Sequence, residues 1–483
     1  MSGPIKKSID RPNIVLVMTD QHAARALGSA SDSAADTPAL DRLALRGTRF
    51  TNTYCPSPLC VPSRMAFLTG LEPHQSGVFS NDDFLRSDIP TIAHALAAGG
   101  YDCSLVGRMH FYGPDQLHGF TDRPIGDIGP GWPGAGAPDI GPLTPARGNH
   151  GREVGGSGCG ETSYQAYDTA VAQTAVSTLE TLMQSRDETG QPFFALVSLF
   201  CPHPPYIALP EDYDAVADRV SMPRLRPPET RHPALAEWAL AGEVDRIDAA
   251  ATERARTAYY GLVRMIDRLT GHVMDAVGDR DDTIVIYVSD HGEALGERGL
   301  WWKSTFYDES AKVPMIMAGP GIKAGQVDHR VTSLFDLSKT ILDLAGAAPL
   351  PGHVGQSLIS EHPWEMRAVS SYYGGLMNIA TGPQRHRMLR RGDWKLCAYD
   401  GYQPQLFDLS EDPDELRDMA GDQPEIVADM MHELTMGWDV KVIARAQHQA
   451  EERNHLIRSW VKATKPEERL RWRDPAPTRN RYL

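Results

Sequence analysis

Ile14-Val15-Leu16-Val17-Met18 is an uninterrupted apolar run that stops at Thr19-Asp20. Nothing polar alternates within it, as expected of a strand covered on both faces, and an aspartate falls at its C-terminal end. Outward from this strand the chain alternates. Thr37-Pro38 opens a helix as N-cap and first-turn proline, with Leu40, Leu43 and Ala44 on one face and Gly47 at its close. Pro62 opens a second helix that reaches Gly70. Helices near 90–98, 164–183 and 252–277 then interleave with strands over 101–106, 193–200 and 283–288. Strands and helices at this spacing predict an α/β fold, a large, mostly parallel sheet flanked by helices.

Two stretches break the rhythm. Residues 124–160 are crowded with glycine and proline, and 202–233 are rich in proline. Segments this long without secondary structure are expected to shape or cover a site, or else to be disordered. After about residue 365 the pattern shortens to a hairpin turning at Arg391-Gly392-Asp393, a strand over 405–409 and a helix near 424–437. The reading is a catalytic α/β domain over 1–365, a small α+β subdomain over 366–437, and a C-terminal helix with a basic tail over 438–483. Lys465, Arg469, Arg471, Arg473, Arg479 and Arg481 outnumber Glu467, Glu468 and Asp474 there. Such a tail on an acidic chain is a solvated end or an arm that docks on a second subunit.

The 483 residues are too many for one ordinary core, and 41% hydrophobic with 23% charged residues is the make-up of a folded chain. A net charge of −15 disfavours nucleic acid as a partner. The N-terminal lysines are followed by too short an apolar run for a secretory signal, and no run approaches a membrane span. Six cysteines form no CxxC pair, so neither a zinc site nor a disulfide framework is expected, and a cytoplasmic enzyme without a membrane partner is.

The segment richest in chemistry is Cys60-Val61-Pro62-Ser63-Arg64. The cysteine lies at a helix start, where free N–H groups and the dipole favour an anionic nucleophile. Arg64, on the first turn, can point back toward it. Cys55, in CPSPL, lacks the arginine and reads as structural. Asp20 and the pair Asp290-His291 both fall at strand ends, where ligands gather in open α/β sheets. Carboxylates there, without a cysteine or histidine cluster, suit a hard divalent cation such as Ca²⁺, Mg²⁺ or Mn²⁺.

CVPSR followed by MAFLTG resembles the signature of the type I, formylglycine-dependent sulfatases of the alkaline-phosphatase-like superfamily. The resemblance runs from PNIVLVMTDQ to QLFDLSEDPDELRDMA and is nearest to the choline-sulfatase and phosphonate monoester hydrolase branch. It implies that Cys60 is oxidised by a formylglycine-generating maturation enzyme, and that Asp20, Gln21, Asp290, His291 and residue 60 hold one metal ion. Gln21 stands where many sulfatases carry a second aspartate; a neutral Gln and a His lower the ligand charge, which points to Mn²⁺ beside Ca²⁺.

Further residues take roles by the same resemblance. Arg108, in Gly107-Arg108-Met109-His110, replaces the usual sulfate-binding lysine, and Lys303 matches the second one. Asn81 matches a sulfate-contacting asparagine. His110 would bond the formylglycine diol and help remove its proton, and His203 would give a proton to the leaving alcohol. The implied reaction is hydrolysis of an alkyl or aryl sulfate ester by a homodimer or homotetramer. The alternatives are a phosphonate monoester or phosphodiester hydrolase, choline sulfatase, and a noncatalytic metal-binding protein with Cys60 unconverted. SSYYGGLMNIATG lacks the acidic residue expected beside a quaternary ammonium, which ranks choline sulfate below other sulfate esters.

Several other features read as structural. Gly155–Gly160 resembles a nucleotide loop but follows no buried strand, and His94 lies packed on a helical pattern. Trp301 and Trp302 are core or pocket wall, and Trp132 is a loop anchor or a weak substrate contact.

Overall fold

The computed structural model describes residues 11–135, 150–374 and 384–466. Its fourteen strands are β1 (Asn13–Asp20), β2 (Gly47–Tyr54), β3 (Asp102–Gly107), β4 (Asp122–Ile125), β5 (Gly158–Cys159), β6 (Phe193–Pro202) and β7 (Ile207–Ala208), then β8 (Thr283–Ser289), β9 (Lys312–Ala318), β10 (Gln326–Ser333), β11 (Arg367–Tyr372), β12 (His386–Arg391), β13 (Trp394–Ala398) and β14 (Gln405–Asp408). Eight of them form one sheet in the order β10-β2-β9-β8-β1-β6-β3-β4. The sheet is mixed. Strand β9 runs antiparallel to β2 and β8, and the other pairings in it are parallel.

The opening run lies at its centre. Ile14 pairs with Phe194 on one side and Ile284 on the other. Val15 and Val17 enter the core beneath the Ala249–Val277 helix, while Ile14, Leu16 and Met18 enter the opposite core with Phe67 and Leu68. Burial on both faces is why the run shows no alternation, and each such side chain contributes about 1.5–3 kcal/mol. The three central strands β1, β6 and β8 run parallel, so their C-terminal ends open on one edge, and Asp20 and Ser289 lie there.

The helix expected to open at Pro62 spans Cys60–Thr69, so Cys60 is its first residue. A proline is tolerated anywhere in the first turn, where its missing N–H has no acceptor to lose, and so it marks a helix start only to within a turn.

A second sheet, β11-β12-β13-β14, is antiparallel and is covered by the Pro424–Thr435 helix. It is fastened to the large body by buried Lys395, whose Nζ lies 2.7 Å from Asp308 Oδ1 and 2.6 Å from Glu415 Oε1. A last helix, Val440–Thr464, returns to the large domain and packs Ile443 and Ala450 against Phe79 and Tyr373. Most of the basic tail, and much of the 124–160 and 370–382 stretches, lie outside the described residues. Among the described residues no helix is long and apolar enough to cross a membrane.

Candidate active site

Each expected strand end delivers its residue to one place. One ligand atom each from Asp20, Cys60, Asp290 and His291 lie within 4.8 Å of one another, and all four side chains are buried. Cys60 Sγ is 3.2 Å from His291 Nε2 and 3.7 Å from Asp20 Oδ1. His291 donates Nδ1–H to Gly292 O at 3.1 Å, since a carbonyl only accepts, and its Nε2 lone pair therefore faces the cluster. Gly292 is required for close approach: a Cβ there would lie 2.2 Å from Glu309 O.

Arg64 is fully buried, and it bonds the two aspartates rather than the thiol. Nε reaches Asp290 Oδ2 at 2.8 Å, Nη2 reaches Asp20 Oδ2 at 3.2 Å, and Nη1 reaches Arg108 O and Ser198 Oγ. Burial and the neighbouring thiol push the Asp20 carboxyl up, but Arg108, His203 and Arg64 outweigh them and hold it well below the usual carboxylate range. Asp290 is pushed up to about 6, by burial above all, against the pull of Arg64. Burial also opposes ionisation of Cys60. Lys303, His291, and hydrogen bonds from His110 and His203 reverse that effect and bring its thiol well below the ordinary range. Cys55, sealed in the core without such partners, is pushed well above it by burial.

Arg108 follows a sharp turn at Gly107, where φ is +100° and a Cβ would lie 2.3 Å from Ser198 O. Its Nε bonds Asp20 Oδ2 at 2.7 Å and its Nη2 donates to His110 Nδ1 at 3.0 Å. A guanidinium cannot accept, so neutral His110 carries its proton on Nε2, the side of Cys60. Burial and Arg108 hold His110 below the usual imidazole range. His203 is set the opposite way: its Nδ1–H donates to Pro204 O at 2.7 Å, which leaves Nε2 for the pocket. Lys303 Nζ donates to Gln21 Oε1 at 2.5 Å, and Gln21 N–H donates to Asp290 Oδ1 at 3.0 Å. Asn81 Oδ1 accepts from Val61 N–H at 2.9 Å, so its NH₂ group is the end left to bond an anion. His110, His203 and Asn81 are half-buried and mark the open side of an otherwise sealed cluster.

The structure therefore gathers the other ten expected residues around Cys60. It adds others that carry no sequence signal of their own. Asp127 Oδ1 accepts from the amides of Met109 and His110 and fixes the turn bearing His110. Asp168 accepts from the amides of Phe200 and Cys201 below His203. Glu293 ties Gln21 to Tyr206. Trp301 and Trp302 are buried core, and His94 accepts from Thr91 N–H at the start of the Ile92–Ala98 helix. On the open side, ring contacts run from His110 to Tyr112, Phe84, Trp132 and Trp460, with centroids 5.0–6.0 Å apart.

The donor set fits a divalent cation. Two buried carboxylates, a thiol and an imidazole lone pair converge, and the oxygens of Asp20 and Asp290 that Arg64 leaves free face inward.

Comparison with known proteins agrees with the geometry. The sulfatase family model matches residues 12–347, and a model of the C-terminal part of N-sulphoglucosamine sulphohydrolase matches residues 296–438. A choline-sulfatase of Rhizobium meliloti (strain 1021) is 34% identical over 92% of this chain and 91% of its own. Arylsulfatase K of Xenopus laevis is 29% identical over 91% of this chain and 84% of its own. A phosphonate monoester hydrolase of Agrobacterium radiobacter shares the fold, with a TM-score of 0.71 at 24% identity over 90% of this chain and 96% of that one. With the Cys60–Thr69 helix, the strand-end carboxylates and the fold all in place, the chain belongs to the sulfatase family and is a sulfuric ester hydrolase.

Proposed function

We propose that the protein hydrolyses the sulfate monoester of an alkyl or aryl alcohol, using residue 60 after conversion of its cysteine to formylglycine. The observation that carries this reading is the convergence of Lys303, His291, His110 and His203 on the Cys60 side chain at a helix start. Asp20, Gln21, Asp290, His291 and residue 60 would hold the metal ion, Ca²⁺ or Mn²⁺, which supplies Lewis acidity and lowers the charge cost of an oxygen nucleophile. A hydrated formylglycine supplies two hydroxyls, one to attack sulfur and one whose proton loss allows sulfate to leave.

The chain's own residues bind and orient the ester. Lys303 has two N–H groups beyond the one on Gln21, Arg108 has Nη1 beyond its bonds to Asp20 and His110, and Asn81 has its NH₂ group. Together they offset charge on the nonbridging oxygens. Protonated on both nitrogens, with Nδ1–H kept on Pro204 O, His203 would pass the Nε2 proton to the leaving oxygen. His110 would bond the diol of residue 60 and help remove its proton, as the resemblance implies. With Arg108 donating to Nδ1, its Nε2–H donates to the residue 60 oxygen, and it takes a proton there only once Arg108 moves off Nδ1. The half-buried rings of Tyr112, Phe84 and Trp132 beside His110 offer an apolar surface to the alcohol.

Choline sulfate is the second reading, favoured by the 34% identical choline-sulfatase and by Gly107–Phe120, GRMHFYGPDQLHGF, which resembles that branch. The test is kcat/KM for an aryl sulfate, choline O-sulfate, a phosphonate monoester and a phosphodiester on protein whose residue 60 has been verified by mass spectrometry. The proposal expects the aryl or alkyl sulfate to exceed the phosphorus esters by at least about tenfold, a difference of about 1.4 kcal/mol. A preferred phosphonate or phosphodiester would overturn it.

A further inference from the structure

Glu293 is wholly buried, carries no role in the chemistry above, and connects three separate parts of the site. Its two oxygens are used differently. Oε1 accepts from two backbone amides, Leu295 N–H at 2.8 Å and Trp302 N–H at 2.7 Å. Oε2 accepts from Tyr206 Oη at 2.7 Å and from the Gln21 side-chain Nε2. The amides of 295 and 302 belong to the loop that ends in Lys303, so the carboxylate is fixed by the backbone that presents the sulfate-binding lysine.

Gln21 is held at every other polar atom. It has φ +71°, its N–H bonds Asp290, its carbonyl accepts from Tyr259 Oη at 2.8 Å, and its Oε1 accepts from Lys303 Nζ. Its carboxamide has two orientations of nearly equal shape, and only one of them turns oxygen toward Lys303 and the Asp20–Cys60–Asp290–His291 cluster. The other would turn N–H groups toward an ammonium and a cation.

We infer that Glu293 is a positioning residue which, by accepting from Gln21 Nε2, fixes the carboxamide with its oxygen facing Lys303 and the cation-binding cluster. This rests on the metal-holding role proposed for Gln21. A carboxylate is the residue type the task needs, because four donors converge on it and it has acceptors alone to offer. Glutamine at 293 would fail in a specific way. The amides of 295 and 302 would hold its oxygen on their side and force its NH₂ against the NH₂ of Gln21. Gln21 would then flip and point nitrogen at Lys303 and the metal.

The test uses full-length protein with Cys60 unconverted, stripped with chelator and titrated calorimetrically with Mn²⁺ and, separately, Ca²⁺. This reads metal affinity without turnover. Glu293→Gln should weaken binding of the tighter ion by about 10–100-fold. The exchanged pair Gln21→Glu with Glu293→Gln restores one donor facing one acceptor, and should bind the ion at least about tenfold more tightly than E293Q. Restoration distinguishes orientation from simple support of the fold. If E293Q does not fold, the exchanged pair decides alone, by whether it folds and binds the ion. Parent-like affinity in E293Q, or an exchanged pair that folds and binds no better than E293Q, overturns the inference. Failure of the parent protein to bind either ion would instead strike the metal reading on which it rests.

Discussion

Arg64 Nε stands 2.8 Å from Asp290 Oδ2, and the same guanidinium reaches Asp20 Oδ2 at 3.2 Å, all three side chains being sealed from solvent. The arginine of CVPSR thus holds together two strand ends that would repel each other in its absence. Arg64→Met leaves both carboxylates buried without their common partner, and should cost about 3–5 kcal/mol in metal-free protein. Urea unfolding in the presence of chelator measures it, and a loss below about 1 kcal/mol would contradict the assignment.

Metal should stabilise the fold as well as serve the chemistry, because the ligand atoms are gathered only when β1, β8 and the Cys60–Thr69 helix are assembled. Chelation should lower the thermal midpoint, and added Mn²⁺ or Ca²⁺ at 100 times its Kd should restore about 2.7 kcal/mol. A midpoint indifferent to both chelator and ions would argue against a bound cation.

The last helix reaches the site through a buried hydrogen bond, beside the exposed ion pair of Arg458 with Asp82. Asn454 Nδ2 donates to Asp83 Oδ1 at 2.7 Å, and Asp83 Oδ2 accepts from the amides of Phe79 and Ser80, fixing the turn that presents Asn81. This helix lies beyond residue 438, where both family models have ended. Asn454→Leu should raise KM for the sulfate ester by about 3–10-fold, the equivalent of one lost hydrogen bond, with kcat less affected. An unchanged KM with a lowered Tm would make the contact merely structural.

Two histidines remote from the site set a pH dependence of stability. His353 and His386 each accept a backbone N–H at Nδ1, from Gly355 and Asp400, and burial holds both down to about 4. A depressed pKa means that the unfolded chain binds more protons between pH 6.5 and 4. The stability these residues contribute is complete above pH 6.5 and is lost progressively as pH falls from 6.5 to 4. At pH 5 each should have cost about 1–2 kcal/mol. His353→Asn and His386→Asn, which keep an acceptor in place of Nδ1, should shrink the difference in unfolding free energy between pH 7 and pH 5. An undiminished difference would assign the acid sensitivity elsewhere.

Of the candidate site residues, Asp20, Cys60 and Asp290-His291 were readable in the sequence because each sits at a strand end or a helix start, boundaries that periodicity also marks, while the others were read through the family resemblance. The central strand was readable because Ile14–Met18 is buried on both faces. What stayed hidden is pairing across distance. Lys303 meets Gln21 across 282 residues, and nothing local announces that the guanidinium of Arg64 serves Asp20 and Asp290 rather than residue 60. Asp127, Asp168 and Glu293 were equally silent, because an acid that accepts backbone amides looks like any other acid until the loops are folded. Proton placement on His110 and His203 likewise depends on partners, Arg108 and Pro204 O, that only the assembled turn supplies.

The proposed nucleophile is a hydroxyl of converted residue 60. Turnover of an aryl sulfate by Cys60→Ser, set against parent protein whose Cys60 peptide is lighter by about 18 Da, tests it directly. Serine offers one hydroxyl and no second one with which to expel sulfate, so kcat should fall by at least about 1,000-fold. Near-parental turnover in the serine variant would contradict the account.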